Sequence, residues 1–162
     1  MEITQKKDQL AKLFGVYEER ILKTLSYSEV EHVGSGSFLE SGGKGDLDIQ
    51  VRVSSNEFER AVTDCSLLFE RFHEEVWTEE FALFIDFSCG VKTDIMLTVI
   101  DSGYDNFFKI RDAMIQTPFL QEKYISLKNQ FADFNAEDYR KAKNEFFRKL
   151  EADLGLKIRP TR

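Results

Sequence analysis

A chain of 162 residues with a formal net charge of −7 argues for one domain, long enough to bury roughly 70% of the surface its unfolded form exposes. The composition, 42% hydrophobic and 31% charged, excludes a disordered chain. The acidic balance excludes an electrostatic footprint for wrapping duplex DNA.

The N-terminal segment MEITQKKDQLAKLF lacks a long apolar stretch and does not read as a signal peptide. Leu10, Leu13, Phe14, Tyr17, Ile21 and Leu25 recur at spacings of three and four, which predicts a helix over 3–25. Ser26–Ser28 stops it, and 29–33 reads as a short strand. Residues 34–45, GSGSFLESGGKG, carry five Gly and three Ser and read as a loop. In DLDIQVRV (46–53), Leu47, Ile49, Val51 and Val53 share one face, and Asp46, Asp48, Gln50 and Arg52 the other. That period of two predicts a strand, apolar on one side. Ser54 or Ser55 would cap a helix over 56–72, with Phe58, Val62, Cys65 and Leu68–Phe69 inward. Residues 80–87 and 92–100 read as a hairpin turned at Ser88-Cys89-Gly90. Helices are expected over 105–116, 119–132 and 136–153, with Pro118 dividing the first two and Asn135 capping the third.

This order predicts an α/β (α+β) fold: a small mixed sheet flanked by helices. A single domain over 1–162 would comprise an N-terminal helix (1–28), a sheet core with the site (29–101) and C-terminal helices (102–154). Cys65 and Cys89 lack a CxxC spacing and have only two His to join them, which argues against a disulfide framework or a zinc site. With no run near 18 apolar residues, no membrane span is expected, and the expected location is the cytoplasm.

The chemistry concentrates in residues 32–53. Asp46 and Asp48, two apart on a strand, project from the same face. Like charges that close repel unless a cation lies between them. Oxygen ligands of this kind suit Mg²⁺ (or Mn²⁺), which keeps several waters and is usually completed by substrate phosphates. A Gly/Ser-rich turn beside them can offer backbone N–H groups and a hydroxyl to phosphate oxygens.

The segment resembles the signature of the nucleotidyltransferase superfamily, a strand ending in Gly-Ser, a loop, then Asp-x-Asp on the next strand. Gly34 and Ser35 match the first part, and Asp46 and Asp48 the second. The superfamily's third carboxylate, on a later strand, is assigned to Asp94 in KTDIML, with Asp86 in FIDF as its competitor. More narrowly, the chain resembles the GrpB family over about residues 30–150. The matching pieces are Leu39 and Gly43-Lys44 in the loop, Ile110-Arg111-Asp112, Pro118, Tyr124-Ile125-Ser126-Leu127-Lys128 and Tyr139-Arg140-Lys141-Ala142-Lys143. Where GrpB relatives often keep only the second Asp of the pair, all three carboxylates stand here.

The resemblance implies magnesium-dependent transfer of a nucleotidyl group from a nucleoside triphosphate, ATP first among them. The acceptor would be a small molecule, a protein or an RNA end. Asp46, Asp48 and Asp94 would form the catalytic and metal-binding set, with Asp94 deprotonating the acceptor hydroxyl or sharing a second metal. Ser35, Lys44 and the backbone of Gly34 and Gly36 would touch the nucleotide, with Arg52 and Lys92 as further neutralising groups. The alternative is a nucleotide- or protein-binding module of the same fold without turnover. Outside this set, His32 reads as a packing residue, His73 as solvated, Cys65 as core and Arg111-Asp112 as an ion pair. Arg140, Lys141, Lys143, Arg148 and Lys149 read as a solvated basic face.

Overall fold

The computed structural model describes residues 3–157. Helix α1 (Ile3–Thr24) leads into β1 (Glu29–Val33), the short helix α2 (Ser35–Phe38) and β2 (Leu47–Val53). Then come α3 (Phe58–Leu68), β3 (Glu70–Arg71), β4 (Phe81–Asp86) and β5 (Thr93–Val99). Three helices close the described chain: α4 (Phe107–Gln116), α5 (Pro118–Gln130) and α6 (Ala136–Asp153). The five strands form one mixed sheet in the order β1-β2-β5-β4-β3. β2 and β5 run parallel at its centre, and the other neighbours pair antiparallel.

The two faces of the sheet differ in chemistry. One face carries Leu47, Ile49, Val51 and Val53 of β2 with Ile95, Leu97 and Val99 of β5. Leu10, Tyr17, Ile21 and Leu25 from α1 and its end pack there, with Ala61 and Cys65 of α3. Side chains of this size contribute about 1.5–3 kcal/mol each when fully buried, so this layer is the main stabilising unit. The other face carries Asp48, Gln50 and Arg52 beside Asp94, Met96 and Thr98. It is not solvated, as a strand apolar on one side would suggest. Gln50 is 0% exposed and Arg52 9%, because helix α4 covers them. The Phe108 amide of α4 donates to Gln50 Oε1 at 3.1 Å, and Arg111 Nη1 donates to Glu31 Oε2 at 2.7 Å. A second apolar cluster, Phe38, Leu39, Met114, Tyr124 and Leu150, binds α2, α4, α5 and α6 together.

Burying polar groups requires partners. Arg52 Nε and Nη2 donate to Asp105 Oδ1 and Oδ2 at 2.6 and 2.8 Å, and Gln50 Nε2 donates to Asp105 Oδ1 at 3.0 Å. The Asp101 amide donates to Asp105 Oδ2 at 2.9 Å. Arg52 is thereby committed to the frame, which corrects its expected role as a cation at the site.

Element bounds agree with expectation for α1, β1, the β4–β5 hairpin and α6, whose Asn135 side chain accepts from the Asp138 amide at 2.9 Å. Pro118 occupies the first turn of α5, where its missing N–H costs nothing. The helix expected over 56–72 is shorter. A single 3₁₀ turn (Ser55–Glu57) precedes it, without a side-chain cap, and Phe69 ends it in extended backbone so that β3 can pair with β4. The loop expected over 34–45 contains α2. Both cysteines are free, and burial pushes the Cys65 thiol up to about 12. Among the described residues no helix is long and apolar enough to cross a membrane.

Candidate functional site

The parallel pairing of β2 with β5 sets Asp48 directly beside Asp94, on the same face. The antiparallel pairing of β4 with β5 sets Ile85, not Asp86, opposite Asp94. Asp86 therefore faces the other side. It accepts from Tyr17 Oη at 2.6 Å and from Ser88 Oγ, with Arg20 at 3.6 Å. Those partners hold its carboxyl below the usual range, although burial opposes them. Register thus puts Asp94, and not Asp86, on the face that carries Asp48.

Gly34 follows β1, whose last residue, Val33, pairs with Asp48. Its backbone (φ 73°, ψ 178°) lies in a region essentially reserved for glycine. A Cβ there would collide with Asp48 Oδ2 and stand 2.7 Å from its Cγ. Gly43 (φ 61°) likewise leaves room for the Ser35 hydroxyl. Lys6 Nζ donates to the Gly43 carbonyl at 2.8 Å and ties this loop to α1. Gly34→Ala is expected to lower stability by about 1–3 kcal/mol from backbone strain alone, and to displace Asp48. Thermal unfolding checks the first effect. A fully native melting temperature would show that the close approach of Gly34 to Asp48 is dispensable.

Ser35, Lys44, Asp46, Asp48, Lys92, Asp94, Tyr124, Lys128 and Lys143 line a polar cavity of about 190 Å³. Asp46 sits one residue before β2 begins, at the edge of the same cavity. Gly36 is not part of it. It is buried against Leu10 and the Asp46 and Gly42 carbonyls, a packing position. A larger cavity of about 860 Å³ adjoins and shares Ser35, Asp48, Tyr124 and Lys143. Of the residues expected at the site, Ser35, Lys44, Asp46, Asp48 and Asp94 meet around the small cavity, while Gly34 lines the larger one.

Burial, then the neighbouring Asp94 charge, pushes the Asp48 carboxyl up to about 6. Asp94 Oδ2 receives Lys92 Nζ at 3.3 Å, but its Oδ1 is buried with no hydrogen-bond partner. Two adjacent carboxylates, one raised in pKa by burial and by the other's charge, and one with an oxygen that lacks a hydrogen-bond partner among the described residues, form a donor set suited to a hard divalent cation. Among the described residues, no group of three or more His, Cys, Asp or Glu is arranged to hold a metal ion. Asp48 and Asp94 therefore fit Mg²⁺ only as a partial shell completed by water and phosphate, as that ion prefers.

His32 lies on the opposite face, stacked on Phe14 at 5.2 Å. Burial, with the Arg111 charge, lowers its imidazole to about 4, so it is neutral packing as expected. Arg111 bridges Glu31 and Asp112. The cavity also takes in Lys128 and Lys143, which stand outside the expected site set; the basic face of which Lys143 is part was expected to be solvated, with acceptor or phosphate binding as its alternative. In sequence both close the Tyr-to-Lys pieces of the GrpB resemblance, Tyr124 to Lys128 and Tyr139 to Lys143, a spacing that puts each Tyr and Lys on one helix face.

Comparison with known proteins accords with this architecture. The model of the GrpB protein family matches residues 1–153. The chain belongs to the GrpB family. A UPF0157 protein of Vibrio cholerae is 30% identical over 139 residues, 85% of this chain and 73% of that relative. The crystal structure of GrpB from Enterococcus faecalis superposes with a TM-score of 0.63 at 16% identity. It covers 87% of this chain and 94% of that one, a likeness of fold. GrpB membership is consistent with a nucleotidyltransferase-like fold, as the Gly34-Ser35 and Asp46-x-Asp48 pattern implied.

Proposed function

We propose that this GrpB-family protein is a magnesium-dependent nucleotidyltransferase that uses a nucleoside triphosphate as donor. The observation that carries the reading is the side-by-side placement of Asp48 and Asp94, with one orphaned carboxylate oxygen, beside the Gly34-Ser35 turn. Asp48 and Asp94 would hold Mg²⁺, and Asp46 stands at the edge of the same cavity. When bound, the ion would neutralise developing phosphate charge. The Ser35 hydroxyl and the Lys44 and Lys92 ammonium groups line the cavity that would take phosphate oxygens. The larger cavity is within the size range of small-molecule sites and opens onto Asp48, which supports its use by the nucleoside or the acceptor. In-line phosphoryl chemistry asks mainly for positioning and charge, which these residues can supply without a covalent intermediate.

One observation favours a second reading, a binding module without turnover: three carboxylates do not converge on one metal position. Titration calorimetry with ATP, GTP, CTP and UTP, with and without Mg²⁺, tests the first step, and pyrophosphate release tests the second. Magnesium-dependent binding that is lost in Asp48→Asn, together with pyrophosphate release, is the expected result. Binding without release over a panel of small-molecule, protein and RNA acceptors would favour the module. No binding by the folded wild type would sink both nucleotide readings.

A further inference from the structure

We propose that Lys44, Lys92, Lys128 and Lys143 together form a seat for a linear polyphosphate chain, with the two helix lysines as its outer wall. The proposal rests on the reading of this pocket as a phosphate-handling site, and it assigns a role to residues outside the acidic motif. Four lysines and three aspartates line the small cavity, a positive excess in a chain whose net charge is −7. Among the described residues, Lys92 alone of the four is held by a carboxylate, Asp94. Lys44 and Lys128 rest instead near aromatic rings, Lys44 Nζ 5.9 Å from the Tyr139 centroid and Lys128 Nζ 5.6 Å from that of Tyr124.

The lysines oppose one another. Burial, then Lys143, Lys44 and Lys6, lowers the Lys128 ammonium. Burial lowers Lys143 as well, and Lys44 adds to this, while Asp48 pulls it back. Lys128 and Lys143 are partly buried, and partly buried cations gathered without enough counter-charge are destabilising unless an anion joins them. Tyr139 Oη is buried next to Tyr124, whose own hydroxyl is pushed up by burial and then by its interaction with Tyr139. The polar lining and the volume of about 190 Å³ suit a phosphate chain, and the adjoining cavity of about 860 Å³ has room for a nucleoside.

The phosphate chain belongs either to a nucleotide or to free inorganic polyphosphate; metal-free calorimetry tests the seat, and a parallel arm with Mg²⁺ separates the two sources. Inorganic triphosphate is titrated into wild type, Lys128→Met, Lys143→Met, Asp48→Asn and the exposed-surface control Lys149→Met, each first shown to be folded by its thermal transition. Wild type is expected to bind. Lys128→Met and Lys143→Met should each weaken binding about tenfold or more, the scale of one lost hydrogen bond to a charged group. Lys149→Met should leave it unchanged. Asp48→Asn, which removes a repelling carboxylate, should tighten it. That variant folds independently of the lysine changes and has the opposite expected sign, so the seat stays testable if a lysine variant does not fold. No binding by wild type, equal weakening by Lys149→Met, or weaker binding by Asp48→Asn would overturn the seat. In a parallel arm with Mg²⁺, nucleoside triphosphates binding more tightly than inorganic triphosphate supports the nucleotide source. Triphosphate bound as tightly as any nucleotide leaves the seat standing and counts against nucleotidyl transfer.

Discussion

Asp48→Asn is expected to stabilise the protein at neutral pH while abolishing magnesium-dependent nucleotide binding. The Asp48 carboxyl is raised from 3.8 to about 6, by burial and then by the Asp94 charge. Between those values the folded state holds more protons than the unfolded state, so stability falls as pH rises through that window. Below about 4 both states are protonated and the penalty vanishes; above about 6 it is fully present. Two units correspond to roughly 2–3 kcal/mol. In a domain of this size that is a rise of about 5–10 °C in the melting temperature of the Asn variant. Thermal melts of both proteins from pH 4 to pH 8 check it. The advantage of the variant should open across the window; the comparison is read as a difference, because His32, lowered to about 4, adds stability to both proteins over the same range. Equal melting temperatures at pH 8 would show that Asp48 carries no penalty. A gain in stability joined to a loss of binding is the signature of a site whose electrostatic strain serves function.

Asp105→Ala is expected to have the larger effect, a loss of about 3–5 kcal/mol, because it removes the buried partner of Arg52, whose other ion pair is with the exposed Glu29. Asp105 is 0% exposed and receives both Nε and Nη2 of Arg52, Gln50 Nε2 and the Asp101 amide. The network also sets α4, since Gln50 accepts from the Phe108 amide and Arg52 lies 4.0 Å from the Phe108 ring. Urea unfolding measures the loss. The double variant Arg52→Met/Asp105→Leu should be more stable than Asp105→Ala, since removing both charges leaves neither stranded. If the double variant is the less stable of the two, the ion pair itself is a net stabilising element here.

Local pattern was enough for much of the frame. The three-and-four spacing through Leu10, Tyr17, Ile21 and Leu25 marks α1, whose buried face is that stripe. The alternation in residues 46–53 marks β2 for the same reason, since one face of it enters the core. Asn135 names the start of α6 because its side chain can satisfy an amide of the first turn. The Gly-Ser turn with Asp-x-Asp marks the candidate site, because a close backbone approach and paired carboxylates leave few alternatives in residue type.

Pairing and packing across the chain settled the rest. The end of α3 was misjudged because Phe69 suits a helix face as well as a strand, and Glu70 and Arg71 are extended only by pairing with Ile85 and Phe84. The burial of Gln50 and Arg52 on the polar face of β2 is not legible in the sequence, because no local signal tells that α4 covers it and enlists Arg52 in the frame. A period of two says that Asp86 and Asp94 each alternate along a strand, but only the register of β4 on β5 puts Asp94 beside Asp48 and turns Asp86 toward Tyr17. Lys128 and Lys143 lie far from the acidic motif in sequence. They reach it because the cluster of Phe38, Met114, Tyr124 and Leu150 docks α5 and α6 against the turn that carries Ser35. Residue type and spacing thus determine which groups one strand or helix offers on a face, since that geometry is local; which groups share a cavity depends on contacts between segments distant along the chain.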